Sequence, residues 1–258
     1  MSRFHMKIGF IISMYDEIET VQKTIVTLKQ YGCPIIIIQS DPKDPSKIID
    51  ENQVDFYQKL SDLAGSKEEY IKERTSSKEA TTPVKAVTRN YQLGFSMTKS
   101  FHVDYWVAIL GDVLITSMTG IEEIIQKMNS KKKSLAITRA VGQTFMDNDD
   151  KPTRIQTHNT TDFMPQFFIA QNDPIQNGLF SKFTITNRFA TEQCLGDEVI
   201  RYCTENNTDF HTFTFTISDY AYPQFISGLK YNPDRISMPR YVDGFVNMMR
   251  RLKTNHSK

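Results

Sequence analysis

Lys7-Ile-Gly-Phe-Ile-Ile-Ser-Met-Tyr-Asp-Glu17, followed after a helical interval by Pro34-Ile-Ile-Ile-Ile-Gln-Ser-Asp41, is the stretch on which the fold turns. Ile8 to Ser13 reads as a buried strand, and Asp16 and Glu17 stand where carboxylates suit the positive start of a helix. Ile18, Val21, Ile25 and Leu28 then recur at helical spacing up to Tyr31-Gly32, with Gly32 placed to stop the helix. The next run, Ile35 to Ile38, is four consecutive β-branched residues, which suits a strand covered on both faces, as in a parallel sheet. Asp41-Pro-Lys-Asp-Pro45 ends it in a turn.

The same alternation continues outward. A helix fits Pro83 onward through Val84, Val87, Tyr91 and Phe95, and Tyr105-Trp-Val-Ala-Ile-Leu110 is another buried strand that stops at Gly111-Asp112. A helix from Ile121 to Met128 and a strand from Ser134 to Thr138 follow. Before Pro83, residues from about 46 to 82 are polar with mixed helical patterns and offer no linker. The second half changes character: strands are expected at Gln166 to Ala170 and Phe210 to Ile217, the latter alternating Thr with Phe or Ile, with one clear helix near Glu192 to Cys203. Strands separated by helices predict an α/β fold with a mostly parallel sheet, helices on both faces and a mixed C-terminal part.

With 258 residues, 39% hydrophobic and 24% charged, the chain can bury a substantial core. The 31 Lys and Arg nearly balance 30 Asp and Glu, so any anion site is local and nucleic acid is not an expected partner. The odd count of three cysteines, Cys33, Cys194 and Cys203, has no CxxC pair and predicts neither a disulfide framework nor a zinc knuckle. With no signal-peptide pattern and no apolar run long enough to span a bilayer, a cytoplasmic setting is the expectation. Membrane contact would be peripheral. Asn247 to Lys253, apolar on one side and basic on the other, suits either that contact or packing on the domain.

The turn after the first strand, Ser13 to Glu17, contains no glycine, so a dinucleotide fingerprint is absent, and no Walker A sequence occurs. A nucleotide bound here would be held by side chains at strand ends. Ile11-Ile-Ser-Met-Tyr-Asp-Glu17, a helix, and then Ile35 to Asp41 resemble the opening of the inverting family 2 glycosyltransferases of the GT-A fold. That family has a Pro-x-Tyr-Asn-Glu type turn after its first strand and an Asp after its second. Tyr15 and Glu17 match the turn, while Ser13 replaces the proline and Asp16 the asparagine. The resemblance implies Tyr15 beside a nucleotide base, Glu17 in the same binding turn, and Asp41 accepting from an imide nitrogen such as that of uracil. It further implies that Arg89, in Arg89-Asn-Tyr-Gln-Leu-Gly94, contacts base or diphosphate through its planar donors.

Two acidic blocks complete the resemblance, each with one acid where the family has two. Leu110-Gly-Asp112 stands where an Asp-x-Asp motif holds Mn²⁺ or Mg²⁺ against the sugar diphosphate, leaving Asp112 as metal ligand and Leu110 in the first acidic place. Leu195-Gly-Asp-Glu-Val-Ile200 resembles the Glu-Asp-x-x-Leu segment at a helix start, with Asp197 as the base that takes the acceptor proton, Glu198 in reserve, and Gly196 replacing the first acid. Purely structural readings stand beside these. Glu17 and Asp16 would complement a helix dipole, Asp41 would start a turn, Arg89 would be an exposed helix residue, and Asp197 would cap a helix. The aromatic segments Phe163 to Phe168 and Tyr220-Ala-Tyr222 suit either an acceptor platform or the core.

The resemblance implies one GT-A domain, its nucleotide half at about 7–112, its acceptor half at about 113–230 and a C-terminal extension at 231–258. The implied activity is inverting hexosyl transfer from a nucleoside diphosphate sugar, UDP-linked, to a saccharide, lipid-linked or protein acceptor. Two rivals differ in sequence signature. A sugar-phosphate nucleotidyltransferase carries a Gly-rich, Arg/Lys-containing loop after its first strand, which Ser13 to Glu17 lacks. A nucleotide-sugar binding protein without turnover is favoured by Leu110 and Gly196.

Overall fold

The computed structural model of the chain describes residues 6–40, 46, 48–60, 82–130, 132–139, 163–182, 191–206, 212–215 and 228–231. Seven strands form one sheet in the spatial order β3, β2, β1, β4, β7, β6, β8. They are β1 (Ile8–Met14), β2 (Ile35–Ser40), β3 (Phe56–Leu60), β4 (Tyr105–Leu110), β6 (Leu135–Arg139), β7 (Phe163–Gln171) and β8 (Thr212–Phe215). The pairs β1–β2, β1–β4, β2–β3 and β6–β8 are parallel. β7 alone runs against its neighbours β4 and β6. A separate antiparallel pair joins β5 (Val113–Ile115) to β9 (Leu229–Tyr231).

β1 and β2 are buried along their whole lengths, the state expected of strands flanked by helices on both faces. Side chains alternate between two cores. Phe10, Ile12, Ile35 and Ile37 face helices α1 (Ile18–Gln30) and α3 (Thr119–Ser130). Ile11, Ile36, Ile38, Trp106 and Phe168 face α2 (Thr82–Met97) and α5 (Thr191–Asn206). The expected α/β class with a mostly parallel sheet is therefore what the chain adopts.

Local chemistry sets the element ends. α1 ends in a left-handed Gly32 (φ 65°), whose N–H reaches Lys29 O while the N–H of Cys33 reaches Leu28 O. This is the paired closure that only a glycine adopts without strain. The β6–β7 register shifts between Ile137 and Arg139, and Pro165, which has no N–H for the ladder, lies in the stretch of β7 that the shift skips.

Several elements go beyond the sequence reading, among them β5 and β9. Residues 56–60, within a stretch read as polar and helical, form β3, because Phe56 to Leu60 pair in parallel with the edge of β2. A tertiary ladder here overrides local pattern. A short helix α4 (Asn172–Gln176) lies between β7 and α5, where one helix was expected. Phe167 and Phe168 are fully buried, so these two belong to the core and not to an acceptor platform. Tyr220, Tyr222 and the basic segment 247–253 lie outside the described residues.

Close backbone approach gives a first prediction. A Cβ on Gly9 would lie 2.6 Å from the six-membered ring of Trp106, itself fully buried. Gly9→Ala should lower unfolding stability by about 1 to 3 kcal/mol, read from urea midpoints, whereas Val26→Ala on the exposed side of α1 should stay within about 0.5 kcal/mol.

A second prediction concerns alkaline pH. Burial, with a smaller contribution from Glu122, pushes the Cys33 thiol up from 9.0 to about 11. The unfolded thiol ionises first, so this contribution to stability is whole below pH 9 and is lost as pH rises toward 11. Urea midpoints at pH 8 and pH 10.5 should fall further for the wild type than for Cys33→Ala.

Candidate functional site

A parallel sheet collects the carboxyl ends of its strands on one edge, and here β1, β2 and β4 end there together: Ser13 aligns with Leu110 and with Ile38. This edge concentrates buried polar side chains. Ser13, Glu17, Gln39, Ser40, Asn90 and Asp112 are all buried, although most of the core around them is apolar. Buried polar groups persist only where they are paired.

Asn90 is the centre of one network. It projects from α2 and donates its amide to Ser13 Oγ (3.0 Å), Ser40 Oγ (3.0 Å) and Ile38 O (3.3 Å). Two strand ends and a helix are tied by one side chain. A second network runs across β1, β2 and β3. Gln39 Nε2 donates to Tyr15 O (2.8 Å), and the Tyr57 hydroxyl donates to Gln39 Oε1 (2.6 Å). Burial and the nearby Glu51 raise the Tyr57 pKa, against a backbone hydrogen bond at Ile49 that lowers it.

Glu17 occupies the N-cap of α1 but makes no side-chain cap bond. Its Oε2 turns back to accept from the N–H of Tyr15 (2.6 Å). The same oxygen lies 2.9 Å from where a Cβ on Gly111 would sit, and Met14 Cβ lies 2.8 Å from it. Glycine at 111 thus lets the β1–α1 turn and the turn carrying Asp112 press together. Tyr15 is half-buried, with its N–H and its carbonyl both held by side chains. Asp16 follows it, with Oδ1 buried and without a hydrogen-bond partner among the described residues.

Asp112 is 4% exposed. Its charge, after burial itself, helps hold the Tyr91 hydroxyl well above the usual phenol range, which places the carboxylate within electrostatic reach of the inner face of α2. The chain beyond it is fixed by Thr24 of α1: its hydroxyl donates to Val113 O (3.4 Å) and accepts from the N–H of Ile115 (3.1 Å).

Arg89, one residue before Asn90, is exposed on α2. Asp41 directly follows the buried Ser40 but lies outside the described residues. Asp197 and Glu198 sit on α5, which packs beside α2 and over β7. α5 begins at Thr191, so Asp197 stands in its second turn and cannot be its N-cap; the helix-start placement and the capping reading are both corrected. Asp197 is partly exposed.

Glu198 is differently engaged. It is buried, and accepts from Arg201 Nε (2.8 Å), Arg201 NH2 (2.6 Å) and the N–H of Lys182 (3.2 Å). Arg201 also donates to Gly178 O (2.8 Å) and pairs with Glu205. Its hydrogen bond to Glu198 raises the guanidinium further above its ordinary value. This carboxylate clamps the 178–182 turn to α5. Within that turn Phe180, at φ 63°, is fully buried and stacks on Phe95 at 4.7 Å.

Gln39, Ser40, Asn90 and Tyr57 carry much of this edge and were not singled out as site residues in the sequence. The available signal was the switch from four isoleucines to Gln39-Ser40 at the end of a strand buried on both faces. Among the described residues no group of three or more His, Cys, Asp or Glu forms a metal-binding cluster. No helix among them is long and apolar enough to cross a membrane.

No protein-family model matches the chain, and no curated protein matches it. Among solved structures, S. aureus TarS is similar at a TM-score of 0.44 and 11% identity, over 83% of this chain and 36% of TarS. TarS 1-349 gives 0.44 and 12%, over 83% of this chain and 59% of that one. A cytidylyltransferase from Leptospira borgpetersenii gives 0.43 and 13%, over 98% and 96%. The chain therefore spans about a third of the length of TarS. Likeness at these scores carries no argument about activity, and the functional reading rests on the site.

Thr24→Val keeps the shape of the side chain but strips the hydroxyl from Val113 O and Ile115 N. Stability should fall by about 1 to 3 kcal/mol for the buried groups left unpaired, measured by urea unfolding, and the Ile115 amide should exchange faster with solvent.

Proposed function

We propose that this chain is a glycosyltransferase of the GT-A type, transferring a sugar with inversion from a nucleoside diphosphate sugar, UDP-linked, to an acceptor hydroxyl. The observation that carries this reading is the edge where β1, β2 and β4 end: buried polar side chains hold the strand-end loops in place beside Asp112. Ligands of open α/β sheets seat outside the carboxyl ends of parallel strands. A glycine-free turn at Ser13 to Glu17 makes side chains the recognition elements.

In this reading Tyr15 presents its ring to the base, with Glu17 holding the Tyr15 backbone. Asp41 accepts from the base, and Arg89 contacts base or diphosphate. The donor chemistry at Asp112 fits Mg²⁺ or Mn²⁺, since such ions are held by one or two carboxylates with the rest of their shell from phosphates and water. The buried Oδ1 of Asp16 is an oxygen that a ligand donor or a cation would satisfy. A bound ion would supply neutralisation of the leaving diphosphate. Asp197, partly exposed on α5, takes the proton from the acceptor hydroxyl. Glu198, engaged by Arg201 and the Lys182 N–H, keeps that turn of α5 anchored. We further propose that all of this lies in one domain.

Binding without turnover is favoured by one observation: Leu110, in the first acidic place, packs on the apolar core beside α2. A thermal-shift panel of nucleotide sugars with and without Mn²⁺, followed by donor hydrolysis, separates the readings. Stabilisation by a UDP sugar together with slow hydrolysis is the expected result. Binding with neither hydrolysis nor transfer would leave a nucleotide-sugar binder. Stabilisation only by a nucleoside triphosphate with a sugar phosphate would replace the proposal with a nucleotidyltransferase.

Asp197→Asn should leave donor affinity within about twofold and lower transfer by on the order of 100-fold or more, as expected on losing a general base. Unchanged transfer would remove Asp197 from the mechanism.

A further inference from the structure

We propose that Tyr57 and Gln39 are positioning residues that set the nucleoside selectivity of this site by holding Tyr15 in one orientation. The inference rests on the reading that a nucleotide seats at the carboxyl edge of the sheet, and holds equally for transferase or binder.

Tyr15 is held at both of its backbone polar groups by side chains from different elements. Its N–H is bound by Glu17 at 2.6 Å, and its carbonyl by Gln39 at 2.8 Å. Gln39 comes from β2, is fully buried, and aligns with Met14 on one side and Lys59 on the other. Its amide direction follows from chemistry. A carbonyl only accepts, so the NH₂ group must face Tyr15, and Oε1 must then be the end that meets Tyr57. The Tyr57 hydroxyl donates to that oxygen at 2.6 Å.

A chain of two side chains, Tyr57 and Gln39, thus runs from the edge strand β3 to the backbone of the turn after β1. Its polar members are matched donor to acceptor, so each link fixes the next. As a phenol, the Tyr57 hydroxyl is protonated at neutral pH and so is able to donate. Without that hydroxyl, Gln39 Oε1 loses the 2.6 Å hydrogen bond from Tyr57. The amide gains freedom to turn, and Tyr15 loses the restraint on its carbonyl. Its ring would then face a base with less preorganisation, and the cost would fall on recognition of the nucleoside. Contacts to the diphosphate would be untouched.

Tyr57→Phe tests this, because it removes one oxygen and keeps the ring. Isothermal titration of wild type and variant with UDP, and separately with inorganic pyrophosphate, both with Mg²⁺, gives the readout. UDP should bind about 3- to 10-fold more weakly to the variant, the equivalent of one hydrogen bond, while pyrophosphate changes less than about twofold. In a Tyr15→Ala background, Tyr57→Phe should add no further loss, since coupled residues are not additive. Equal weakening of UDP and pyrophosphate, together with a lower urea midpoint, would assign Tyr57 a merely structural role and overturn the proposal. So would unchanged UDP affinity. If the wild type binds no UDP, the nucleotide reading itself fails and this inference with it; if it binds UDP and the variant binds equally well, the inference alone fails.

Discussion

A side-chain amide buried between a helix and a sheet must find partners, and Asn90 finds three of them at the ends of two neighbouring strands. An unpaired amide there would cost more than most single contacts contribute. The position of α2 along the sheet is therefore tied to the place where β1 and β2 stop. Tyr91, the next residue, drives its ring into the aromatic cluster with Phe95 and Phe168, so the same helical turn is held by packing on one side and by hydrogen bonds on another. Directional bonds fix register where apolar contact alone would tolerate sliding.

The strand-end loops are shaped by the same rule. In a glycine-rich nucleotide site the backbone bends to the ligand. Here Gln39 and Thr24 bond to backbone groups 24 and 91 residues away, and Glu17 turns back onto the Tyr15 N–H within its own turn. Gly111 contributes space, allowing the Asp112 turn to lie against Met14 and Glu17. A site built in this way presents side chains from a braced frame, which fits the proposed recognition by Tyr15 and Asp112 rather than a backbone cradle for phosphates.

Much of this frame was legible before any coordinates. The helical spacing of Ile18, Val21, Ile25 and Leu28, the four isoleucines of β2 and the glycine after α1 each have one strong local reading, and all three hold. β3 was not legible, because Phe56 to Leu60 carries Gln and Lys between its apolar residues and gains strand character only from pairing with β2. Mixed pairing in the second half was expected, but not which strand would reverse: that β7 runs against both β4 and β6 is a property of the path between strands. For the site, Tyr15, Glu17 and Asp112 could be picked out from their places after strands. The roles of Asn90, Gln39 and Tyr57 could not, because they are defined by partners 18 to 77 residues away. Glu198 shows the opposite difficulty: beside Asp197 in sequence it looks like a second base, and only the fold brings Arg201 and the Lys182 N–H onto its carboxylate.

The central strand also governs the order in which the molecule can come together. β1 meets β2 across about 25 residues, as in Phe10 with Ile35, but meets β4 across 97, as in Ile8 with Tyr105. Closing the longer loop costs about 1 kcal/mol more chain entropy, and it must be closed before the Asp112 turn can rest on Glu17. A chain emerging from synthesis carries the first strand pair long before it carries the strand that completes the edge. Until then the apolar flank of β1 is an open template for other strands. The segment residues 61–104 that delays the completion includes α2, whose Asn90 locks β1 to β2 when it docks. The edge proposed to bind ligand is therefore completed only when β4 joins β1 across that longer separation.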